Sequence, residues 1–229
     1  MRAVYGRFTA AAILFAVAAP SALGQAPGPT DVVTYIEVTP SGETEAANLL
    51  RQLAAASRKE SGSVSFTVLQ HIERPSQFAI LETWSDAKAH EAHDAGPALQ
   101  QFREKLDHLR VGFYDERLDT GIDVVALPAS PTKDAIFVVT HVDVTGQFKD
   151  DAIAMMNKLA ADSRKEAGAE RFELWQQNNR LNHFTLVEIW KDRAALDAHN
   201  RAPASREFRE KVGRMLGALY DDRRYRSLE

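Results

Sequence analysis

Two pairs of residues could do acid–base chemistry, Glu82 with Trp84 and Glu188 with Trp190. The two pairs lie in two similar copies of one sequence pattern, which are described below. Side chains two residues apart on a β-strand lie on the same face, so each carboxylate would lie beside an aromatic ring. Each face also carries one phenylalanine, Phe78 or Phe184. Burial raises the pKa of a carboxyl group, which suits a general base for a phenolic proton. The alternative is a glutamate that pairs with an arginine or lysine, or caps the next helix, beside a packing tryptophan.

A histidine follows each pair on the next predicted helix, His93 in the first copy and His199 in the second. Histidine titrates near neutral pH and can carry a proton. The alternative is a histidine near a helix C-terminus that stabilises the helix dipole. His90 stands three residues before His93, but its counterpart is Leu196, and the zinc-protease pattern needs a spacing of four. We therefore expect no metal site.

Tyr35 and His141 occupy equivalent positions on the first strand of each copy. A hydrogen-bonding side chain there would line one pocket and not the other, whereas the alternative is an ordinary, partly exposed strand position. The two copies also differ at a second strand position, where the second copy has Trp175 and the first has Leu69. These differences predict two unequal pockets, one active and one degenerate.

The elements that must position these residues occur twice. The sequence Ser57–Glu60 recurs as Ser163–Glu166, and Phe102–Lys105 recurs as Phe208–Lys211, each 106 residues later. A period this long indicates two copies of a whole domain, since solenoid repeats span about 20–50 residues. We interpret the repeated Ser-Arg-Lys-Glu as a solvated helix end.

Each copy has the pattern β-α-β-β-α-β, with its second helix broken at Pro97 or Pro203. This order predicts an α+β fold of ferredoxin-like repeats. Such a sheet carries helices on one face, so its other face must be covered. The second copy can cover it, which gives an intramolecular form of a dimeric α+β barrel. The predicted boundaries are a leader at 25–30, half one at 31–120, a linker at 121–132 and half two at 133–229.

Composition excludes several classes of site and partner. The chain has 229 residues, a formal net charge of −4 and interspersed charges, so we expect no nucleic-acid partner. It contains no cysteine, which excludes disulfides, thiolate catalysis, cysteine-ligated zinc and iron–sulfur clusters.

The N-terminus has the pattern of a secretory signal. Arg2 and Arg7 precede an apolar stretch at 8–19, and small residues follow at 22–24. The apolar stretch is shorter than the roughly 20 residues that span a bilayer. We predict a signal peptide over residues 1–24, export to the periplasm and no membrane span after cleavage; an uncleaved N-terminal anchor is the alternative.

The residues shared by both copies carry a family resemblance. In half one they are Glu60-x-Gly62, Phe66, a proline-containing turn, Phe78, Glu82-x-Trp84, Asp86, Ala92-His93 and Phe102. In half two they are Glu166-x-Gly168, Phe172, Phe184, Glu188-x-Trp190, Asp192, Ala198-His199 and Phe208. This ordered set resembles the antibiotic biosynthesis monooxygenase domain.

The resemblance implies a dimeric α+β barrel that oxidises a quinol- or anthrone-like aromatic with O₂ and needs no cofactor, neither metal nor flavin. A haem-degrading branch of the superfamily places its haem-ligating histidine a few residues after the Phe102 position. Neither 103–106 nor 209–212 contains a histidine, so we expect no haem.

Three functions are therefore open: a cofactor-independent monooxygenase, a periplasmic small-molecule-binding module, and a stress or structural protein that keeps only the fold. For the first, the candidate catalytic residues are Glu82, Glu188, His93 and His199. The candidate substrate-binding residues are Trp84, Trp190, Tyr35, His141, Phe78 and Phe184. The expected partner is an apolar aromatic small molecule, and further self-association of the chain stays open.

Overall fold

The computed structural model describes residues 28–112, 114–125 and 131–228. Half one contains β1 (Thr30–Glu37), α1 (Glu43–Ser57), β2 (Ser63–His71), β3 (Gln77–Trp84), α2 (Ala87–Asp94), α3 (Pro97–Asp107) and β4 (Asp115–Asp123). Half two contains β5 (Ile136–Asp143), α4 (Lys149–Ser163), β6 (Ala169–Gln177), β7 (His183–Trp190), α5 (Arg193–Arg201), α6 (Pro203–Val212) and β8 (Asp221–Ser227). The predicted order of elements is confirmed in both halves.

The second helix of each half is interrupted as predicted. A new helix starts at Pro97 in half one and at Pro203 in half two, because proline lacks the N–H of an interior helical residue but fits a first turn. Among the described residues, no helix is long and apolar enough to cross a bilayer.

The eight strands form one closed barrel in the order β1-β3-β2-β8-β5-β7-β6-β4. Each half contributes four adjacent strands, and the halves join through β2–β8 and β4–β6 pairs. The halves are thus hydrogen-bonded to each other at both seams, so the barrel formed by the described strands has no exposed edge. The predicted α+β barrel of two ferredoxin-like repeats is confirmed.

The β4 strand extends past the predicted end of half one. It begins at Asp115 and continues to Asp123, beyond residue 121, where the linker was predicted to start. Its later residues pair with Leu174–Gln177 of half two, a partner that the pattern within one half does not reveal. The predicted signal peptide, leader residues 25–27 and linker residues 126–130 lie outside the described residues.

Side chains of the strands divide between three cores. On β3, Phe78, Ile80 and Trp84 pack against the helices of half one. The alternate residues Ala79 and Leu81 point into the barrel. A matching helix-side core occupies half two. The glutamate of each Glu-x-Trp pair therefore lies between sheet and helices, on the face predicted for it.

Candidate functional site

Each Glu-x-Trp pair forms a direct contact. The indole Nε1 of Trp84 donates to Oε2 of Glu82 at 2.8 Å, and Trp190 donates to Glu188 at the same distance. Burial raises the pKa of both carboxyl groups to about 8, and the indole hydrogen bond opposes the rise only in part. These carboxyls thus titrate near neutral pH, where a general base is most effective.

The alternative roles for these glutamates are filled by other residues. The helices that follow are capped by Asp86 and Asp192, whose side chains accept from backbone N–H groups three residues later. Within the described residues, the only ion-pair partner of Glu82 is His93, and that of Glu188 is His199. Both glutamates therefore face an imidazole and an indole instead of an arginine or lysine.

His93 lies between two carboxylates and against an indole ring. Its ring stacks on Trp84 with centroids 4.5 Å apart. Its Nδ1 lies 2.9 Å from Oε2 of Glu60, and its Nε2 lies 3.7 Å from Oε2 of Glu82. The site in half one is thus a Glu–His–Glu cluster, Glu60–His93–Glu82, at the last turn of α2.

Half two repeats the Glu–His–Glu cluster as Glu166–His199–Glu188. The ring of His199 stacks on Trp190 at 4.4 Å, with Nδ1 3.2 Å from Glu166 and Nε2 3.8 Å from Glu188. Burial lowers the pKa of His199, and the Glu166 carboxylate opposes that shift. The same arrangement has therefore persisted in two copies whose sequences otherwise differ.

The outer glutamates of the clusters were not among the predicted site residues. The Ser-Arg-Lys-Glu repeat was interpreted as a solvated helix end, and that interpretation is wrong for its serine, because Ser57 is buried. Arg58 and Glu60 keep contact with solvent, but the Arg58 guanidinium donates to the carbonyl of Phe66 at 2.8 Å and Glu60 bonds His93. Its recurrence at identical spacing in both halves was the signal that could have identified it.

A glycine two residues after each outer glutamate shapes the turn. Gly62 and Gly168 have φ values of +83° and +87°, a region that side chains disfavour. A Cβ atom on Gly62 would lie 2.5 Å from the Cβ of Ala89 in α2. Glycine therefore lets the turn after α1 pack directly on the helix that carries His93.

Trp84 and Trp190 serve as walls of the clusters. Both rings are fully buried, and one face of each is covered by a histidine. Phe78 and Phe184 are buried on the same helix side. A substrate that stacked on these rings, as the sequence suggested, would reach them only after a neighbouring side chain moved.

Half two has a small cavity beside its cluster. The cavity measures about 10 Å³, room for about one water. Its polar lining consists of Thr140, Glu188, His199, Asn200, Ser205, Arg209, Tyr220 and Asp222. Ser205 is buried, with its hydroxyl 3.2 Å from Nε2 of His199.

The corresponding wall of half one carries different side chains. Leu99 stands in place of Ser205, and both are buried. His90 stands in place of Leu196, with its Nε2 3.8 Å from Glu116 and its ring 6.5 Å from Trp84. The two halves thus share the Glu–His–Glu cluster but not its surroundings. Among the described residues, no group of three or more histidine or acidic side chains is arranged to hold a metal ion.

Tyr35 and His141 lie elsewhere than predicted. Both point into the barrel, on the opposite strand face from the clusters, and their rings meet edge-on at 5.2 Å. Arg117 and Arg223 lie over the Tyr35 ring at 5.5 and 4.6 Å. The two residues therefore contact each other in one interior instead of lining separate pockets, because equivalent positions on β1 and β5 face each other across the barrel.

The interior of the barrel also contains a pair of aspartates that was not among the residues predicted from the sequence. Asp31 of β1 pairs in register with Asp119 of β4, where half two has Phe137 and Tyr225. Burial raises the pKa of Asp31 to about 6 and that of Asp119 to about 8. A cavity of about 570 Å³ adjoins Asp31, but its lining includes no residue of either Glu–His–Glu cluster.

Comparison with known proteins is consistent with this geometry. Residues 31–105 and 135–211 each match the antibiotic biosynthesis monooxygenase family. The uncharacterized protein sll1783 of Synechocystis is 30% identical over 96 residues, which cover 42% of this chain and 65% of that protein. YcnE of Bacillus subtilis, by name a candidate monooxygenase, is 27% identical over 86 residues, or 38% of this chain and 90% of YcnE.

Solved structures with the same architecture span nearly the whole chain. A candidate monooxygenase of Fusobacterium nucleatum superposes with a TM-score of 0.80 at 16% identity, covering 90% of this chain and 94% of its own. An anthrone oxidase-like protein superposes with a TM-score of 0.70 at 15% identity, covering 90% and 93%. At these identities the likeness establishes the fold alone. With two copies of the domain matched in sequence, the chain belongs to the antibiotic biosynthesis monooxygenase family.

Proposed function

We propose that the chain is a monooxygenase that oxidises a quinol- or anthrone-like aromatic with O₂ without a cofactor. The observation that carries the proposal is the Glu–His–Glu cluster, which both halves repeat beside a buried tryptophan. Family membership supports a monooxygenase-like role. We place the activity outside the cytoplasm because residues 1–24 have the pattern of a signal peptide.

The chemistry assigned to the cluster is proton transfer. Glu82 or Glu188 removes a proton from the phenol or activated methylene of the substrate, and the resulting anion is a better electron donor to O₂. The substrate supplies the electrons: a CH₂ group and O₂ become C=O and water. The pKa of about 8 for each glutamate lets it take up this proton and return it to the departing oxygen atom.

Substrate access requires a movement of the helices over the sheet. The cavity of about 10 Å³ beside Glu188 is far smaller than the several hundred Å³ of an ordinary ligand pocket. The break between α5 and α6 at Ala202 and Pro203 is the natural hinge, since a proline there leaves the two helices without a continuous hydrogen-bond ladder. We propose that α6 moves away from β7 when substrate binds.

The small cavity beside Glu188 also supports a second function. A barrel that opens to enclose an apolar molecule and then closes over it can sequester that molecule without turnover. In this alternative the chain is a non-catalytic periplasmic binding module, and the buried tryptophans report on occupancy. The two functions predict the same binding but different consumption of O₂.

Oxygen uptake by the purified chain separates the two functions. We expect uptake above the autoxidation rate with naphthoquinols or anthrones, measured in an electrode cell with a metal chelator present. Saturable quenching of tryptophan fluorescence by the same compounds, without uptake, would instead support the binding module. If these compounds cause neither oxygen uptake nor fluorescence quenching, both functions are contradicted.

Ser205 provides a test of which half works. We expect Ser205→Leu, which installs the side chain of half one, to fill the cavity beside Glu188 and lower oxygen uptake at least about tenfold, the equivalent of about 1.4 kcal/mol. Leu99→Ser is the matched reverse change in half one and should leave uptake unchanged. Thermal unfolding checks folding, because overpacking costs about 1–3 kcal/mol. Equal rates for the two variants would show that the cavity does not mark the working half.

A further inference from the structure

We propose that Glu60 and Glu166 are the outer ends of two proton relays that connect the buried carboxyl groups to solvent through His93 and His199. The inference rests on the proposed function, because it supplies the route for the proton that the substrate loses. It assigns a role to the repeated Ser-Arg-Lys-Glu segment, whose glutamates lie outside the Glu-x-Trp pair and contact it only through histidine.

Exposure to solvent differs between the two ends of each cluster. In half one the side chain of Glu82 is 4% exposed, that of His93 is 1% exposed and that of Glu60 is 28% exposed. In half two the outer carboxylate, Glu166, is 23% exposed. Only the outer glutamate of each cluster is therefore in ready exchange with water, and the histidine separates it from the inner one.

The outer glutamate fixes which ring nitrogen carries the proton. A carboxylate accepts hydrogen bonds, so the 2.9 Å contact between Glu60 and His93 places a hydrogen on Nδ1. In neutral imidazole the Nε2 atom then presents a lone pair. Among the described residues, Nε2 of His93 has no hydrogen-bond partner, and it faces Oε2 of Glu82 at 3.7 Å. The nitrogen nearest the buried carboxyl is thus free to accept a proton.

Tryptophan holds the inner end of the relay. The Glu82 oxygen that faces His93 is Oε2, the same atom that accepts from the Trp84 indole. The imidazole stacks on that indole, with 27° between the two ring planes. One tryptophan therefore positions both groups, and a movement of about 1 Å brings Nε2 and Oε2 to hydrogen-bond distance.

The proton balance closes without another reactant. The substrate proton moves to the Glu82 carboxylate and then to Nε2 of His93. The ring releases its Nδ1 proton to Glu60, which loses it to water, and the cluster regains its starting charge. The reverse sequence returns a proton to the oxygen atom that leaves as water. In half two the Ser205 hydroxyl lies 3.2 Å from Nε2 of His199, and once that hydroxyl turns away, His199 and Glu166 make the same transfers from Glu188.

The experiment is the double variant Glu60→Gln/Glu166→Gln in the full chain. Glutamine keeps the size and the hydrogen bond to Nδ1 but cannot take up a proton. We expect kcat for oxygen uptake to fall about 10–100-fold, with KM and thermal unfolding little changed. Added imidazole or acetate should restore the rate in a saturable way, since a small acid or base can replace a proton carrier but not a structural contact.

The matched control is Glu104→Gln/Glu210→Gln, which makes the same change at equivalent exposed positions of α3 and α6 and should leave uptake unchanged. A loss in the Glu60→Gln/Glu166→Gln variant that buffers do not restore, or no loss at all, would overturn the relay. Nitrogen NMR of the histidines in the wild-type chain tests it without turnover. A neutral tautomer with hydrogen on Nε2 would contradict the relay even if the proposed function failed.

Discussion

Replacing Glu82 and Glu188 together by glutamine abolishes oxygen uptake in a chain that stays folded, and we expect a loss of at least about 100-fold. Glutamine has the shape of the protonated carboxyl, so its amide oxygen still accepts from the indoles of Trp84 and Trp190. It cannot remove a proton from the substrate. The variant therefore separates the chemistry of these side chains from their packing.

The two single variants divide this loss between the halves. If half two alone works, Glu188→Gln reproduces the double variant and Glu82→Gln behaves as wild type. The reason is that Ser205 lines the cavity at Glu188, whereas Leu99 stands at the equivalent position of half one. Oxygen-electrode rates, compared at equal folded fraction by circular dichroism, make the measurement. Unchanged uptake in the double variant would rule out both glutamates as the base.

Stability against unfolding falls as the pH rises from about 4.5 to about 8. Glu82 and Glu188 have a pKa of about 8 in the folded chain because burial disfavours their charged form, against an ordinary value of 4.5. The folded state thus binds more protons than the unfolded state across this window, so the free energy of unfolding decreases with pH. At about 1.4 kcal/mol per pKa unit, each carboxyl accounts for several kcal/mol.

Urea unfolding at a series of pH values measures this slope. In the Glu82→Gln/Glu188→Gln variant most of the slope should disappear, because glutamine stays neutral, and the variant should be the more stable protein at pH 8. A residual slope is expected from Asp31 and Asp119, whose pKa values burial also raises. An identical slope in the variant and the wild type would show that the inner glutamates ionise without cost.

Patterns local to one strand or helix were predictable from sequence. The alternation of β3 placed Phe78, Glu82 and Trp84 on one face, and the structure has them there. The helix break at Pro97 follows from the chemistry of proline. Such features depend on neighbours a few residues away, so a single strand or helix determines them.

Contacts between distant segments could not be predicted in the same way. Glu60 and His93 are 33 residues apart and meet only because the turn at Gly62 packs against α2. Tyr35 and His141 meet because β1 and β5 lie opposite each other in the barrel. Both contacts depend on how whole elements pack, and the periodicity of one element carries no information about its partner.

Covalent fusion of the halves removes a constraint that a symmetric homodimer imposes. In a homodimer a residue on the twofold axis meets its own copy, and every mutation is made twice. Here Tyr35 meets His141, and the Asp31–Asp119 pair corresponds to Phe137 and Tyr225. A mutation in the fused gene therefore alters a residue in one half and leaves the equivalent residue of the other half unchanged. Because backbone hydrogen bonds of β2–β8 and β4–β6 close the barrel, either half can lose its chemistry and still complete the fold for the other.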